Sequence, residues 1–81
     1  MTARVFVSLK PTVLDPQGQT IRNVLNSHGH PEVSEVRQGK YFDIALAGPL
    51  TTEQARAVVE NIARDVLANP VIENYKIELV E

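Results

Sequence analysis

The chain contains no cysteine. Disulfides, thiolate nucleophiles, zinc–cysteine sites and iron–sulfur clusters are therefore excluded. Aromatic residues are almost as scarce: Phe6, Tyr41, Phe42 and Tyr75 are all there are. Four scattered rings do not make a base-stacking platform. No apolar run approaches the roughly 20 residues of a membrane-spanning helix. The first residues enter a strand pattern directly, without the apolar stretch of a secretory signal. Charge of one sign is missing too. Ten acidic residues face eight basic ones, for a net charge of −2, and the two signs are interspersed. With no basic stripe to neutralise a row of phosphates, nucleic-acid binding is disfavoured. Glycines are few and isolated, so no glycine-rich phosphate loop exists. The expected compartment is the cytoplasm, with no membrane partner.

What is there suits one small folded domain over residues 1–81. Hydrophobic residues make up 43% and charged residues 22% of the sequence, a balance that argues against disorder. A chain this short buries only about 60–65% of its unfolded surface, so its core is thin. Self-association is a natural way to add burial.

Val5, Val7 and Leu9 alternate with polar neighbours and predict a strand that Pro11 ends. Asp15-Pro16 predicts a helix start, with Asp15 as N-cap and Pro16 at the first helical position. Ile21, Val24, Leu25 and His28 follow at helical spacing, and Gly29 with Pro31 closes the helix. Residues 33–36 and 41–47 predict two strands joined as a hairpin around Gly39-Lys40. Thr51 with Gln54 forms a capping box. Ala55, Val58, Val59, Ile62, Ala63, Val66 and Leu67 then fill one helical stripe, and Asn69-Pro70 stops it. Residues 75–80 alternate as a last strand. The order β-α-β-β-α-β predicts an α+β, ferredoxin-like domain, with two helices on one face of an antiparallel sheet. The other face would carry Phe6, Tyr41 and Val80, which are candidates for self-association.

A search for chemistry finds little. His28 and His30 flank a glycine without an evident third metal ligand, and a solvated helix end explains them. The carboxylates are spread as solvent-facing charges. No nucleophile stands beside a base. Two segments ask for more than a structural account. Gly18 sits in the first turn of a helix, where it costs about 1 kcal/mol relative to alanine. Either a close approach by a backbone or ligand explains it, or it is a tolerated irregularity. Arg37-Gln38-Gly39-Lys40 sets two cations together, as a solvated turn or as a polar contact to a partner. Asp15, Gln17, Gly18, Arg37, Gly39 and Lys40 are accordingly the candidate partner-contact residues.

Four segments resemble the PurS family, the small subunit of phosphoribosylformylglycinamidine synthase. They are Val7-Ser8-Leu9-Lys10, Val13-Leu14-Asp15-Pro16-Gln17-Gly18, Val36-Arg37-Gln38-Gly39-Lys40-Tyr41, and Leu67-Ala68-Asn69-Pro70-Val71-Ile72-Glu73-Asn74-Tyr75. They fall in the family's order and spacing. The resemblance implies a non-catalytic subunit that associates with itself as a homodimer or larger. It also implies that the chain links a large synthetase subunit to a glutaminase subunit. ATP and magnesium would belong to the large subunit, and no cofactor or metal to this chain. From a different class, a small-molecule-binding regulatory domain of ferredoxin-like topology is the alternative. It would place its ligand near the loop after the first strand.

Overall fold

The computed structural model describes residues 1–80. Strand β1 (Thr2–Leu9) has the alternation expected of a strand with one buried face: Ala3, Val5 and Val7 are at most 1% exposed. It is the central strand. Strands β2 (Gly39–Ala45) and β3 (Glu73–Val80) flank it, both antiparallel, in the order β2-β1-β3. In register, Val5 stands opposite both Phe42 and Ile77, and Ala3 opposite both Ile44 and Leu79. One face of the sheet therefore collects the apolar set that the alternation predicts.

Helix α2 (Thr52–Ile62) covers that face. Its start is the capping box: the Gln54 N–H donates to the Thr51 hydroxyl, and the Thr51 N–H donates to the Gln54 side chain. Ala55, Val59 and Ala63 recur four apart and are fully buried. Two of the three are alanines, which lets the helix lie close on the strands. Burying Val5, Val7 and Val59 is worth about 1.5–3 kcal/mol each before entropy is counted. The stripe is narrower than its sequence suggests, for Val58 and Val66 are 41% and 74% exposed. The cause at Val66 is a π turn, Ala63–Leu67, closed by the Ala68 N–H donating to the Ala63 carbonyl. The extra residue in that turn swings Val66 outward and brings Leu67 against the core.

Helix α1 (Pro16–Ser27) begins as the sequence requires, with Asp15 as N-cap and Pro16 first. It closes at Gly29, whose φ of 93° is the left-handed conformation glycine adopts freely. Its placement departs from expectation. It makes no substantial contact with any strand, and Gly18 is its only buried residue. Residues 33–36, expected as a strand of a hairpin, carry no regular secondary structure and pair with no strand among the described residues. The observed order is thus β-α-β-α-β, with three strands rather than four. The reason lies at Gly39. A hairpin turn there needs positive φ, but only Gly29 and Gly48 have it among the described residues. Helix α1 and residues 33–38 form an arm beside the sheet, tied by the Asn26 side-chain amide donating to the His30 and Val33 carbonyls. The molecule measures 51 × 26 × 14 Å, and its radius of gyration of 16.3 Å exceeds the roughly 12 Å of a compact chain this long.

Candidate functional site: the junction of arm and sheet

The candidate contact residues Asp15, Gln17, Gly18, Arg37, Gly39 and Lys40 all meet where the arm joins the sheet. Asp15 is the centre. Its side chain is almost fully buried, at 5% exposure for the residue. One carboxylate oxygen accepts the Gly18 N–H at 2.9 Å, the helix cap. The other accepts the Gln38 N–H at 2.7 Å, from the far side of the junction. The Gln38 and Gly18 amides hold the Asp15 carboxyl below the usual carboxylate range. Both oxygens are engaged with backbone amides, so Asp15 is placed as a clamp and not as a general base.

Gly18 explains itself here. A Cβ built on it would run into the Val36 carbonyl oxygen, and would press within 3.0 Å of the Asp15 carboxylate and the Val36 carbonyl carbon. Of the two readings of this glycine, close approach by a backbone is the one realised. Gly39 serves the same end, since a Cβ there would come within 2.8 Å of the Val7 carbonyl oxygen. The Arg37 guanidinium donates to the Lys10 and Val13 carbonyls at 3.0 and 2.8 Å, which ties the loop after β1 to the arm. Lys40 lies 3.9 Å from the Glu73 carboxylate. Glu73 in turn accepts the Asn69 N–H at 2.7 Å. Around these groups lies an open polar cleft of ≈ 190 Å³, lined by Ser8, Asp15, Gln17, Gln38, Lys40 and Glu73 among others. Glu73, expected from the sequence as a solvent-facing charge, has a side chain only 17% exposed. Its place three residues after Pro70, as the first residue of β3, is the available signal.

Phe6 and Tyr41 share the sheet face away from α2. They are register partners, 36% and 57% exposed, with ring centroids 6.1 Å apart. The Arg4 guanidinium lies 4.6 Å over the Tyr41 ring and pairs with Asp43 at 2.7 Å, which lowers the Asp43 pKa. Val80 belongs to the same face but sits opposite Thr2, four residues along β1 from Phe6. The His30 ring lies 3.3 Å from the exposed Glu32 carboxylate. Among the described residues no three His, Asp or Glu side chains are placed to share a metal ion. No helix of the described residues is long and apolar enough to cross a membrane.

Comparison with known proteins gives a single answer. The family model described as PurS: Phosphoribosylformylglycinamidine (FGAM) synthase matches residues 2–81. The phosphoribosylformylglycinamidine synthase subunit PurS of Bacillus subtilis is 38% identical over 78 residues, covering 96% of this chain and 90% of the relative. That of Methanocaldococcus jannaschii is 40% identical, covering 95% and 92%. The solved Bacillus subtilis PurS superposes with a TM-score of 0.85 at 38% identity over 99% of this chain and 98% of its own. A PurLQS structure from Thermotoga maritima contains a chain that matches with a TM-score of 0.85 at 28% identity, over 95% and 93%. With a fold, a length and a motif order in common from end to end, this chain belongs to the PurS family.

Proposed function

We propose that this chain is the small assembly subunit of a phosphoribosylformylglycinamidine synthase in purine biosynthesis. It holds a large synthetase subunit and a glutaminase subunit together, so that ammonia released from glutamine reaches the synthetase site without loss to water. The large subunit uses ATP and magnesium to activate the amide oxygen of formylglycinamide ribonucleotide, and ammonia displaces the phosphate to leave the amidine. This chain works in the cytoplasm, as a homodimer or larger. The end-to-end match to PurS subunits, one of them within a PurLQS structure, carries the reading. The junction agrees with it, because its one buried carboxylate is spent on backbone amides. Reconstitution is the test. Glutamine-dependent product formation by the large and glutaminase subunits should require this chain. Equal activity without it would end the proposal.

Lys40 is the cation we assign to partner contact. It is 56% exposed beside the cleft. Lys40→Glu should weaken assembly at least tenfold, measured by titration calorimetry against the large subunit. Thermal stability should fall by only a few degrees, since Lys40 is exposed and its 3.9 Å pair with Glu73 is long. Lys40→Met separates lost attraction from the new repulsion with Glu73. On the outer sheet face, Phe6→Asp should shift the population toward smaller oligomers in gel filtration with light scattering. An unchanged mass would remove Phe6, Tyr41 and Val80 from self-association.

A further inference from the structure

Helix α1 carries a buried donor without an acceptor. The Nε–H of Arg22 is shielded from solvent, yet no hydrogen-bond partner meets it among the described residues. The guanidinium makes one side-chain bond, from Nη2 to the Asn23 amide oxygen at 3.2 Å. A buried donor on a charged group is costly to leave unmet, so each such group asks for an explanation. Arg22 lines a groove of ≈ 210 Å³. One wall is α1. The other is residues 34–37, which bring a second guanidinium, that of Arg37. Arg37 spends its Nη2 on the Lys10 and Val13 carbonyls. Its Nε stands 4.0 Å from the Glu35 carboxylate, too far for a hydrogen bond. The Glu35 side chain is 70% exposed, so that pair is weak. Asp15 also lines the groove, but both of its oxygens accept backbone amides. Neither acid bonds the Arg22 Nε.

We propose that this groove binds an oxyanion, a phosphate or carboxylate group, held between Arg22 and Arg37. A guanidinium offers N–H groups in one plane, and these match two oxygens of such a group. Ser34 and Gln19 add a hydroxyl and an amide to the same lining. The walls are fixed before any ligand arrives. Gly18 lets α1 approach Val36 closely, and Asp15 bonds both Gly18 and Gln38. The two arginines therefore stand on one clamped frame, which spares part of the ordering cost of binding. A volume of ≈ 210 Å³ falls below the roughly 300–1,000 Å³ of pockets that enclose drug-sized molecules. The groove suits one charged group and not a whole nucleotide. A bound anion bridges α1 to residues 34–37 and stiffens the junction. Two sources share this chemistry: free phosphate, and an acidic side chain of a partner subunit.

Arginine Nε–H groups give their own signals in proton–nitrogen NMR spectra, so the site can be read in the unaltered chain. The Arg22 signal is the one that Arg22→Lys removes. Titration with inorganic phosphate at constant ionic strength, against sodium chloride as control, should move that signal and saturate in the low millimolar range. Arg22→Lys keeps the charge but loses the planar fork, and should bind phosphate at least tenfold more weakly in calorimetry. Saturating phosphate should raise the melting temperature of the parent and leave that of Arg22→Lys unmoved. Competition separates the sources. If phosphate weakens the affinity of the chain for the large synthetase or glutaminase subunit, the anion is a partner's carboxylate. If that affinity is unchanged, the anion is free phosphate. An Arg22 signal that responds to phosphate and chloride alike would overturn the site. So would an Arg22→Lys chain that binds phosphate as tightly as the parent. Either failure leaves the assembly role to its own test, glutamine-dependent reconstitution.

Discussion

Gly18→Ala should destabilise the protein by about 2 kcal/mol, although alanine is the better helix former. Propensity alone favours alanine by about 1 kcal/mol. Against this stands the carbonyl of Val36, which occupies the space a Cβ needs. The obstacle is backbone and cannot rotate away, and overpacking of this kind costs typically 1–3 kcal/mol, sometimes more. The two routes to relief both harm the junction. Either residues 36–38 move off α1, which pulls the Gln38 amide from Asp15, or the first turn of α1 tilts and loses its cap. In a domain of this size a loss of about 2 kcal/mol lowers the melting temperature by roughly 10 °C. Calorimetry checks it, and a variant that melts at or above the parent temperature would show that the contact yields cheaply. Partner binding should fall as well, since the candidate residues share this junction.

Acid should open the same junction, and Asp15→Asn should imitate it at neutral pH. The Gln38 and Gly18 amides stabilise the ionised Asp15 carboxylate, so its folded pKa lies below the ordinary value. Its contribution is therefore complete above the usual carboxylate pKa of about 4 and is lost as pH falls through the lower folded value. The parent should hold its melting temperature from neutrality to about pH 5 and lose it steadily below. Asp15→Asn replaces one accepting oxygen by an NH₂ that cannot accept, leaving an amide N–H at the junction without its partner. It should melt several degrees lower at pH 7 and show a shallower acid limb. Asp43 bends the curve in the same direction, because Arg4 lowers its pKa too. That pair is about half-exposed, so salt screens it, while the Asp15 contribution survives high salt. An acid limb identical in parent and variant would dismiss Asp15 as its origin.

Much of this arrangement is legible in the sequence, and the failures have identifiable causes. Asp15-Pro16, Thr51 with Gln54, and Gly29 act through local geometry, so their readings carry over directly into caps and a helix end. The strand alternation at Val5 and Val7 and at Phe42 and Ile44 transfers to one sheet face, because a period of two leaves no choice of side. Gly39 misleads. A glycine between two apolar runs signals a turn, but here it admits the Val7 carbonyl and has no positive φ. Propensity cannot separate those uses of a missing Cβ. Residues 33–36 do have strand composition, and what the sequence cannot convey is that no strand pairs with them among the described residues. Val66 misleads for another reason, since a π turn shifts the helical phase by one residue without any mark in composition. The junction residues come from two sequence segments, and the hydrogen bonds that join them depend on contacts between positions far apart in sequence.

The pairing of β1 with β3 has a consequence for how the molecule comes into being. Thr2 stands opposite Val80 and Leu9 opposite Glu73, so one whole ladder of the central strand joins the two ends of the chain. Such non-local pairing must close nearly the full length of chain before it gains anything, and topologies of this kind fold on the order of milliseconds to seconds. During synthesis β1 emerges before residues 73–80 and waits with that edge bare until they have left the ribosome. Helix α1, whose caps and contacts are local, can form long before. A nascent chain interrupted in between would thus display a formed helix beside an incomplete sheet, the state that chaperones and proteases are suited to recognise.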